Sequence, residues 1–280
     1  MDNGRAFAAQ LAERKEQRHD VSGDRHAAEQ PYLSLIIPAY NEGRRLGETL
    51  RVVTAYLHRQ PYSWEVLVVD DGSNDGTRAL AETYATVRAG ARVRVIANAH
   101  RGKAYAVRSG VLAAQGKIVG FTDADLATPI ETLDTSIALF ATGADVVIGS
   151  REGLGAIRHD EPPYRHLMGR IFNGLVQIVA LPGIQDTQCG FKIMRGTVAR
   201  TLFTATRLYG EDSPAPTGPA VTGFDVELLY LARRRGYRIA EVPVNWQYIA
   251  ESKVNPLRDT IRNVRDLVMV RVNSLIGRYQ

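Results

Sequence analysis

The chain has 280 residues, with 35 Lys and Arg against 30 Asp and Glu, a formal net charge of +5, and 45% hydrophobic residues. That is a globular composition, long enough for one large α/β domain or two small ones, and it excludes a disordered or fibrous chain. A single cysteine, Cys189, excludes an intramolecular disulfide and a Cys-rich metal centre, and the basic balance suits anionic partners or simply a solvated surface.

Residues 1–30 are polar and of mixed charge, lack the basic-then-apolar order of a signal peptide, and read as an N-terminal extension. From Tyr32 the texture changes. "LSLIIPAY" reads as a buried strand, and the helical spacing of Leu46, Leu50, Val53 and Leu57 follows it. "WEVLVVDDGS" is a second strand, and "NDGTRALAETYATV" a helix capped at Asn74 or Asp75. "VRVIAN", the helix "GKAYAVRSGVLAAQG" and the strand "KIVGFTDAD" continue the alternation. Continuous apolar strands alternating with helices predict an α/β fold: a Rossmann-like, mainly parallel sheet with helices on both faces.

Ligands of such sheets bind beyond the carboxyl ends of the strands. There stand Pro38, Ala39, Tyr40, Asn41 and Glu42, then Asp70, Asp71 and Ser73, then Asn98, and finally Asp123, Ala124 and Asp125. Asp123 and Asp125, as residues i and i+2, point the same way; a hard divalent cation would neutralise them, or they are two solvated acids of a strand-end turn. Arg101, Gly102 and Lys103 precede a helix and suit phosphate, or form a solvated basic turn. The glycine fingerprint G-x-G-x-x-G and the P-loop are both missing, which weighs against a dehydrogenase or a P-loop enzyme. "EDSPAPTGPAV" (residues 211–221) reads as a flexible loop.

The longest apolar stretch, Ile171 to Ile184, is too short to span a bilayer and carries Asn173 and Gln177. At the C-terminus, Leu257, Ile261, Val264, Val268, Val272 and Leu275 fall on one helical face, with Arg258, Arg262, Arg265, Arg271 and Arg278 over much of the rest. Such a basic amphipathic helix lies on a membrane, or packs on the domain or a second copy in a homodimer. The expected organisation is therefore an extension (1–30), an α/β domain (31–255) and a C-terminal helix (256–280). The expected location is the cytoplasm, with peripheral attachment to the membrane face if the helix is lipid-bound.

"LIIPAYNEGRRL", "EVLVVDDGSNDGT", "NAHRGKAYAVRSG" and "FTDADLATP" together resemble the inverting, nucleotide-sugar-dependent glycosyltransferases of family two, which have the GT-A fold. "VVIGSREG", "DTQCGFKIMRG", "GFDVELLYLARRRGYRIAEVPVNW" and "SKVNPLRD" narrow the resemblance to the dolichyl-phosphate (polyprenyl-phosphate) β-glucosyltransferases, relatives of the dolichyl-phosphate mannose synthases. The resemblance implies transfer of a hexose, glucose from UDP-glucose, to a polyprenyl phosphate, with Mg²⁺ or Mn²⁺ held by Asp123 and Asp125. The alternatives are GDP-mannose or another nucleotide sugar as donor, or a soluble hydroxyl acceptor, for which Asp225 would be the base. A non-catalytic binder of nucleotide sugars or anionic lipids is a third reading. Nucleic acid suits the charge, but no motif supports it.

By the same resemblance Pro38, Ala39, Tyr40 and Glu42 form the first base-and-ribose loop, and Asp71 contacts base and ribose beside Asp70 and Ser73. Tyr40 reads equally as a rim aromatic. Arg151, after Ser150, lies near donor or acceptor phosphates, and Arg165, His166 and Arg170 belong to a basic acceptor loop. Gln188 is placed near the sugar or metal, Lys192 near the lipid phosphate, and Asp225 at the pocket, while Glu227 supports its helix. Cys189 reads as a packing residue. Ala127 and Thr128 stand where the mannose synthases carry Gln and His, so the metal needs water or Gln188 to complete its ligands.

Overall fold

The computed structural model describes residues 30–88, 90–210, 223–249 and 256–279. The 1–30 extension, apart from Gln30, and the loop expected at 211–221 lie outside the described residues.

The centre of the fold is set by β1 (Leu33–Ala39) and β2 (Trp64–Asp70), parallel and buried along their whole lengths. Beside β2 runs β4 (Ala91–Ala97), and on the other side of β1 lies β5 (Ile118–Phe121), both parallel to their neighbours. Two strands are antiparallel: β3 (Thr86–Arg88) at one edge, and β8 (Lys192–Arg195), inserted between β5 and β6 (Val146–Ser150). With β9 (Ile239–Pro243) the sheet order is β3-β4-β2-β1-β5-β8-β6-β9, and β7 (Ile157–His159) with β10 (Asn245–Gln247) makes a separate parallel ribbon.

Alternation along β1 explains why apolar residues flank polar strand ends. Ile36 packs in one core cluster while Leu33, Leu35 and Ile37 pack in the other, so both faces are dry. Each such side chain contributes roughly 1.5–3 kcal/mol by leaving water. The faces are covered by α1 (Leu46–Leu57), α2 (Thr77–Thr83), α3 (Lys103–Ala113), α4 (Thr132–Ala141), α5 (Pro163–Val179), α6 (Gly196–Ala205) and α7 (Phe224–Arg234). Leu46, Leu50, Val53 and Leu57 are the buried stripe of α1, as their spacing predicts.

Three expectations change. The helix expected through Val87 stops at Thr83, and Thr86–Arg88 joins the sheet edge, where β-branched Thr86 and Val87 suit a strand. Neither Asn74 nor Asp75 occupies the cap position of α2. Gly76 does, with φ +88°, while Asp75 accepts from the Thr77 N–H at 3.0 Å.

The third change concerns α8 (Pro256–Leu275), whose buried face is Asn263, Asp266, Leu267, Val270 and Asn273. Most of its expected apolar stripe does not pack on the domain: Ile261 is 65% and Leu275 80% exposed, Val268 and Val272 are exposed, and half-buried Val264 alone of the described stripe residues packs against the core. The Leu257 side chain lies outside the described residues. The neighbouring α5, which packs against α8, likewise turns Tyr164, Leu167, Ile171 and Ile178 outward. Among the described residues, no helix is long and apolar enough to cross a membrane.

Candidate active site

The ends of β1 and β2 form a tight polar network. Pro38 and Ala39 close β1, and the Ala39 carbonyl accepts the Asp71 N–H at 2.8 Å. Asp71 is buried, and its carboxylate serves the loop before α3: Oδ2 accepts from Gly102 N–H (2.7 Å) and His100 Nδ1 (2.8 Å), Oδ1 from Arg101 N–H (2.9 Å). Gly102 takes φ +91°, a backbone geometry that L-residues rarely adopt, and opens α3. Tyr40 stacks on His100 with ring centroids 4.0 Å apart.

Asp70 accepts the Ser73 N–H (3.3 Å) and its carbonyl takes the Asn98 N–H (2.8 Å). Ser73 Oγ accepts from Asn41 N–H at 2.9 Å, and Glu42 pairs with Arg45 at 2.9 Å. Much of the expected base-and-ribose set is thus engaged in shaping the strand ends.

Beyond β5 the carboxylates gather. Asp123 pairs with the Lys103 ammonium, and Asp125 accepts the Ala127 N–H at 3.1 Å. The Ala124 carbonyl accepts the Thr49 hydroxyl at 2.6 Å, fixing the turn between the two acids to α1. Burial raises the Asp125 pKa, and the neighbouring Asp123 charge adds to the rise. Burial opposes the Lys103 charge, yet Asp123, Asp225 and Asp125 together hold its pKa above the ordinary lysine value.

Asp225 stands in the first turn of α7, its pKa raised chiefly by burial against the pull of Lys192 and Lys103. The expectation that Lys192 meets a lipid phosphate is not what the geometry offers. Its ammonium has no exposed surface, lies 2.6 Å from Asp225 Oδ1 and donates to the Cys189 carbonyl at 2.6 Å. The antiparallel pairing of β8 draws it beneath the site, where its charge offsets that of Asp225. Glu227 faces away from the site and accepts from the Arg207 and Leu208 N–H groups and the Tyr279 hydroxyl. Cys189 is buried in the core, and burial raises its thiol pKa.

A cavity of about 290 Å³ opens over this acidic corner. Lys103, Asp123, Asp125, Gln188 and Asp225 line one part, and Arg151, Glu152, Arg158, Glu161 and Arg165 another. Met168, Phe172, Phe224, Trp246 and Tyr248 supply apolar wall. Arg151 makes a two-point pair with Asp186 (2.7 and 2.9 Å), which also accepts N–H groups of Arg151 and Gln188. Burial works against both charges, but each partner more than offsets it, leaving Asp186 well below the usual carboxylate range.

Arg151 and Arg165 also lie over the Trp246 and Tyr248 rings, at 5.4 and 5.2 Å. His166 and Arg170 turn toward Glu152 and Glu161 rather than lining the cavity. The base-and-ribose candidates do not line it either; they sit at the neighbouring strand ends. Sequence reasoning missed Glu152, Arg158, Glu161, Trp246 and Tyr248. Only the run "NWQY" after β9 hinted at aromatics near the site.

Residues 34–203 match the model of glycosyl transferase family 2. A dolichyl-phosphate β-glucosyltransferase of Drosophila melanogaster is 37% identical over 262 residues, covering 89% of this chain and 77% of that protein. Its Dictyostelium discoideum counterpart is 34% identical over 260 residues, covering 88% and 76%. Among solved structures, mannosyl-3-phosphoglycerate synthase from Rubrobacter xylanophilus superposes with a TM-score of 0.61 at 20% identity, covering 96% of this chain and 79% of that one. Glucosyl-3-phosphoglycerate synthase from Mycobacterium tuberculosis, in complex with Mn²⁺, UDP-glucose and phosphoglyceric acid, gives 0.59 at 19% identity, covering 88% and 80%. The fold they share with this chain is GT-A. A family match across more than half of the chain, together with relatives of this identity, makes this glycosyltransferase a member of glycosyl transferase family 2, in the branch of the dolichyl-phosphate β-glucosyltransferases.

Proposed function

We propose that the protein transfers glucose from UDP-glucose to a polyprenyl phosphate such as dolichyl phosphate, with inversion at the anomeric carbon. The observation that carries this reading is the composition of one cavity: an acidic strand-end corner, a group of arginines and an apolar wall. These suit a diphosphate bound through a cation, an anionic acceptor head and the start of a lipid tail. The names of the curated relatives support the same acceptor and sugar.

The residues at the corner fit a hard divalent cation, Mg²⁺ or Mn²⁺. Asp123 and Asp125 both open into the cavity; burial, and after it the Asp123 charge, raises the Asp125 pKa, and a cation would offset both. Among the described residues no group of three or more His, Cys, Asp or Glu is arranged for a metal. The remaining ligands would therefore be water, the donor's diphosphate and, from the protein, Gln188. When bound, the ion stabilises negative charge on the leaving nucleoside diphosphate.

The chain's own residues do the rest. A phosphate acceptor is anionic near neutral pH, so its oxygen attacks C1 as the bond from C1 to the diphosphate breaks, and no side chain needs to take a proton. Lys103 stands beside Asp123, ready to meet a phosphate, and the Arg151–Asp186 pair fixes the turn after β6. Phe172, Trp246 and Tyr248 exclude water that would otherwise hydrolyse the donor. Residues 31–255 are the transferase unit, and 256–280 complete its lipid-facing side. The outward apolar residues of α5 and α8 rest on the membrane surface, so that the protein is peripheral.

The test offers the protein UDP-glucose, GDP-mannose and other nucleotide sugars with farnesyl phosphate, a short polyprenyl phosphate, or with 3-phosphoglycerate. The reading expects glucosyl transfer from UDP-glucose to farnesyl phosphate, stopped by chelation. Transfer only to 3-phosphoglycerate would move the function to the soluble acceptors of the structural neighbours.

A further inference from the structure

Between β6 and α5, strand β7 carries a cation held on both sides, Arg158. Arg158 Nη2 meets Glu152 at 2.6 Å and Nη1 meets Glu161 at 2.6 Å, while Nε donates to the Arg151 carbonyl at 3.0 Å. All three side chains are largely shielded from solvent, and all three line the cavity. Further groups gather on the same carboxylates: the Arg170 guanidinium lies 3.3 Å from Glu152, and the His166 ring Nδ1 lies 3.5 Å from Glu161 and 3.9 Å from Glu152.

This arrangement differs from the Arg151–Asp186 pair next to it. Asp186 is also bonded by backbone N–H groups, which make it part of the turn. The partners of Glu152 and Glu161 are cationic side chains. Shielding two carboxylates and the guanidinium between them costs desolvation that a segment needing only a surface ion pair would avoid. Together the two glutamates present the guanidinium with two negative charges. A phosphate monoester near neutral pH presents about the same charge, −1.5 to −2, from a single group that an arginine fork matches well.

We propose that Glu152 and Glu161 occupy the seat of the acceptor's phosphate monoester: they keep Arg158 ordered in the cavity wall, and the arriving phosphate takes Arg158 from them. The glutamates thereby set acceptor affinity while leaving donor affinity alone. This inference rests on the phosphate-acceptor reading above.

The test measures KM for farnesyl phosphate and for UDP-glucose in Glu152→Gln, Glu161→Gln and Arg158→Gln, with folding checked by circular dichroism and thermal melting. Each Glu→Gln change removes a competitor for Arg158 and lowers the farnesyl phosphate KM by roughly 2- to 5-fold, the scale of one partly exposed ion pair. Arg158→Gln raises it by about 10-fold or more, as expected for a charge-assisted bond. The UDP-glucose KM stays within about twofold in all three. Should Arg158→Gln not fold, Arg158→Lys keeps the charge, loses the fork and still raises the acceptor KM.

A farnesyl phosphate KM that is unchanged or raised in folded Glu→Gln proteins overturns the inference, as does an unchanged KM in the Arg158 variant. The same KM pattern with 3-phosphoglycerate instead supports the phosphate seat and removes the lipid as its source. A wild-type protein that transfers glucose to neither acceptor sinks the proposed function itself.

Discussion

Gly190 leaves no room for a side chain beside the acidic corner: a Cβ there would stand 2.0 Å from Asp123 Oδ2. Gly190→Ala therefore has to push the Asp123 carboxylate aside. We expect transfer to fall by about 100-fold, in the range seen when one stabilising group is displaced from a reacting centre. A melting temperature near that of the wild type would locate the damage at the site, and near-normal turnover would remove Asp123 from the chemistry. Asp125→Ala should reduce transfer at least as much while the protein still folds, measured with the same donor and acceptor.

Asp186 makes a different prediction, because its charge is structural. Removing it leaves the Arg151 guanidinium shielded and unpaired, so Asp186→Asn should cost about 3–5 kcal/mol in urea unfolding at pH 7. Since its folded pKa lies below 3.8, the pair's contribution is complete above the unfolded value and is lost as pH falls through the folded one. The gap between wild type and variant should accordingly narrow in melts taken below pH 3. A gap that stays constant with pH would mean that the carboxylate's charge does not matter.

At this scale the residue types were legible and their employment was not. Asp71 and Lys192 are ligand-type residues whose groups are used inside the protein. Only the three-dimensional neighbours could reveal that.

Among the elements, α5 and α8 carry the clearest functional consequence. Their outward faces present Leu167, Ile171, Ile178, Ile261, Val268 and Leu275 to solvent, with Arg170, Arg265 and Arg271 on the same helices. The membrane seat proposed for this face would account for both its apolar and its basic character. Ile171→Glu combined with Leu275→Glu should abolish co-sedimentation with vesicles containing anionic lipid, with glucosyl transfer to farnesyl phosphate kept within about threefold because neither residue lines the cavity. Undiminished vesicle binding, or a dimer in solution that covers this face, would contradict the assignment.

Periodicity found the apolar stripe of α8 but could not say which side packs. The inward side carries Asn263, Asp266 and Asn273, and Asp266 is tolerated there because it accepts the Gly223 N–H at 2.9 Å. Polar burial of that kind depends on a partner distant in sequence. The stripe of α1, by contrast, has a sheet to cover and was read correctly.

For the whole molecule, the alternation of apolar strands and helices sufficed for the parallel half of the sheet, since each βα unit is local. The antiparallel β8 was not legible. Its pairing with β5 and β6 joins segments far apart in sequence, and it is this insertion that brings Lys192 under Asp225 and Gly190 against Asp123. The second half of the chain thus supplies most of the cavity around an acidic corner supplied by the first.

The central claim is tested most directly by the product itself: incubate the protein with UDP-glucose, farnesyl phosphate and Mn²⁺, and determine the anomeric configuration of the glucosyl phosphate by NMR. The account predicts β-glucosyl farnesyl phosphate with equimolar release of UDP, and none of either after chelation. An α-linked product, or full transfer in the presence of chelator, would contradict it.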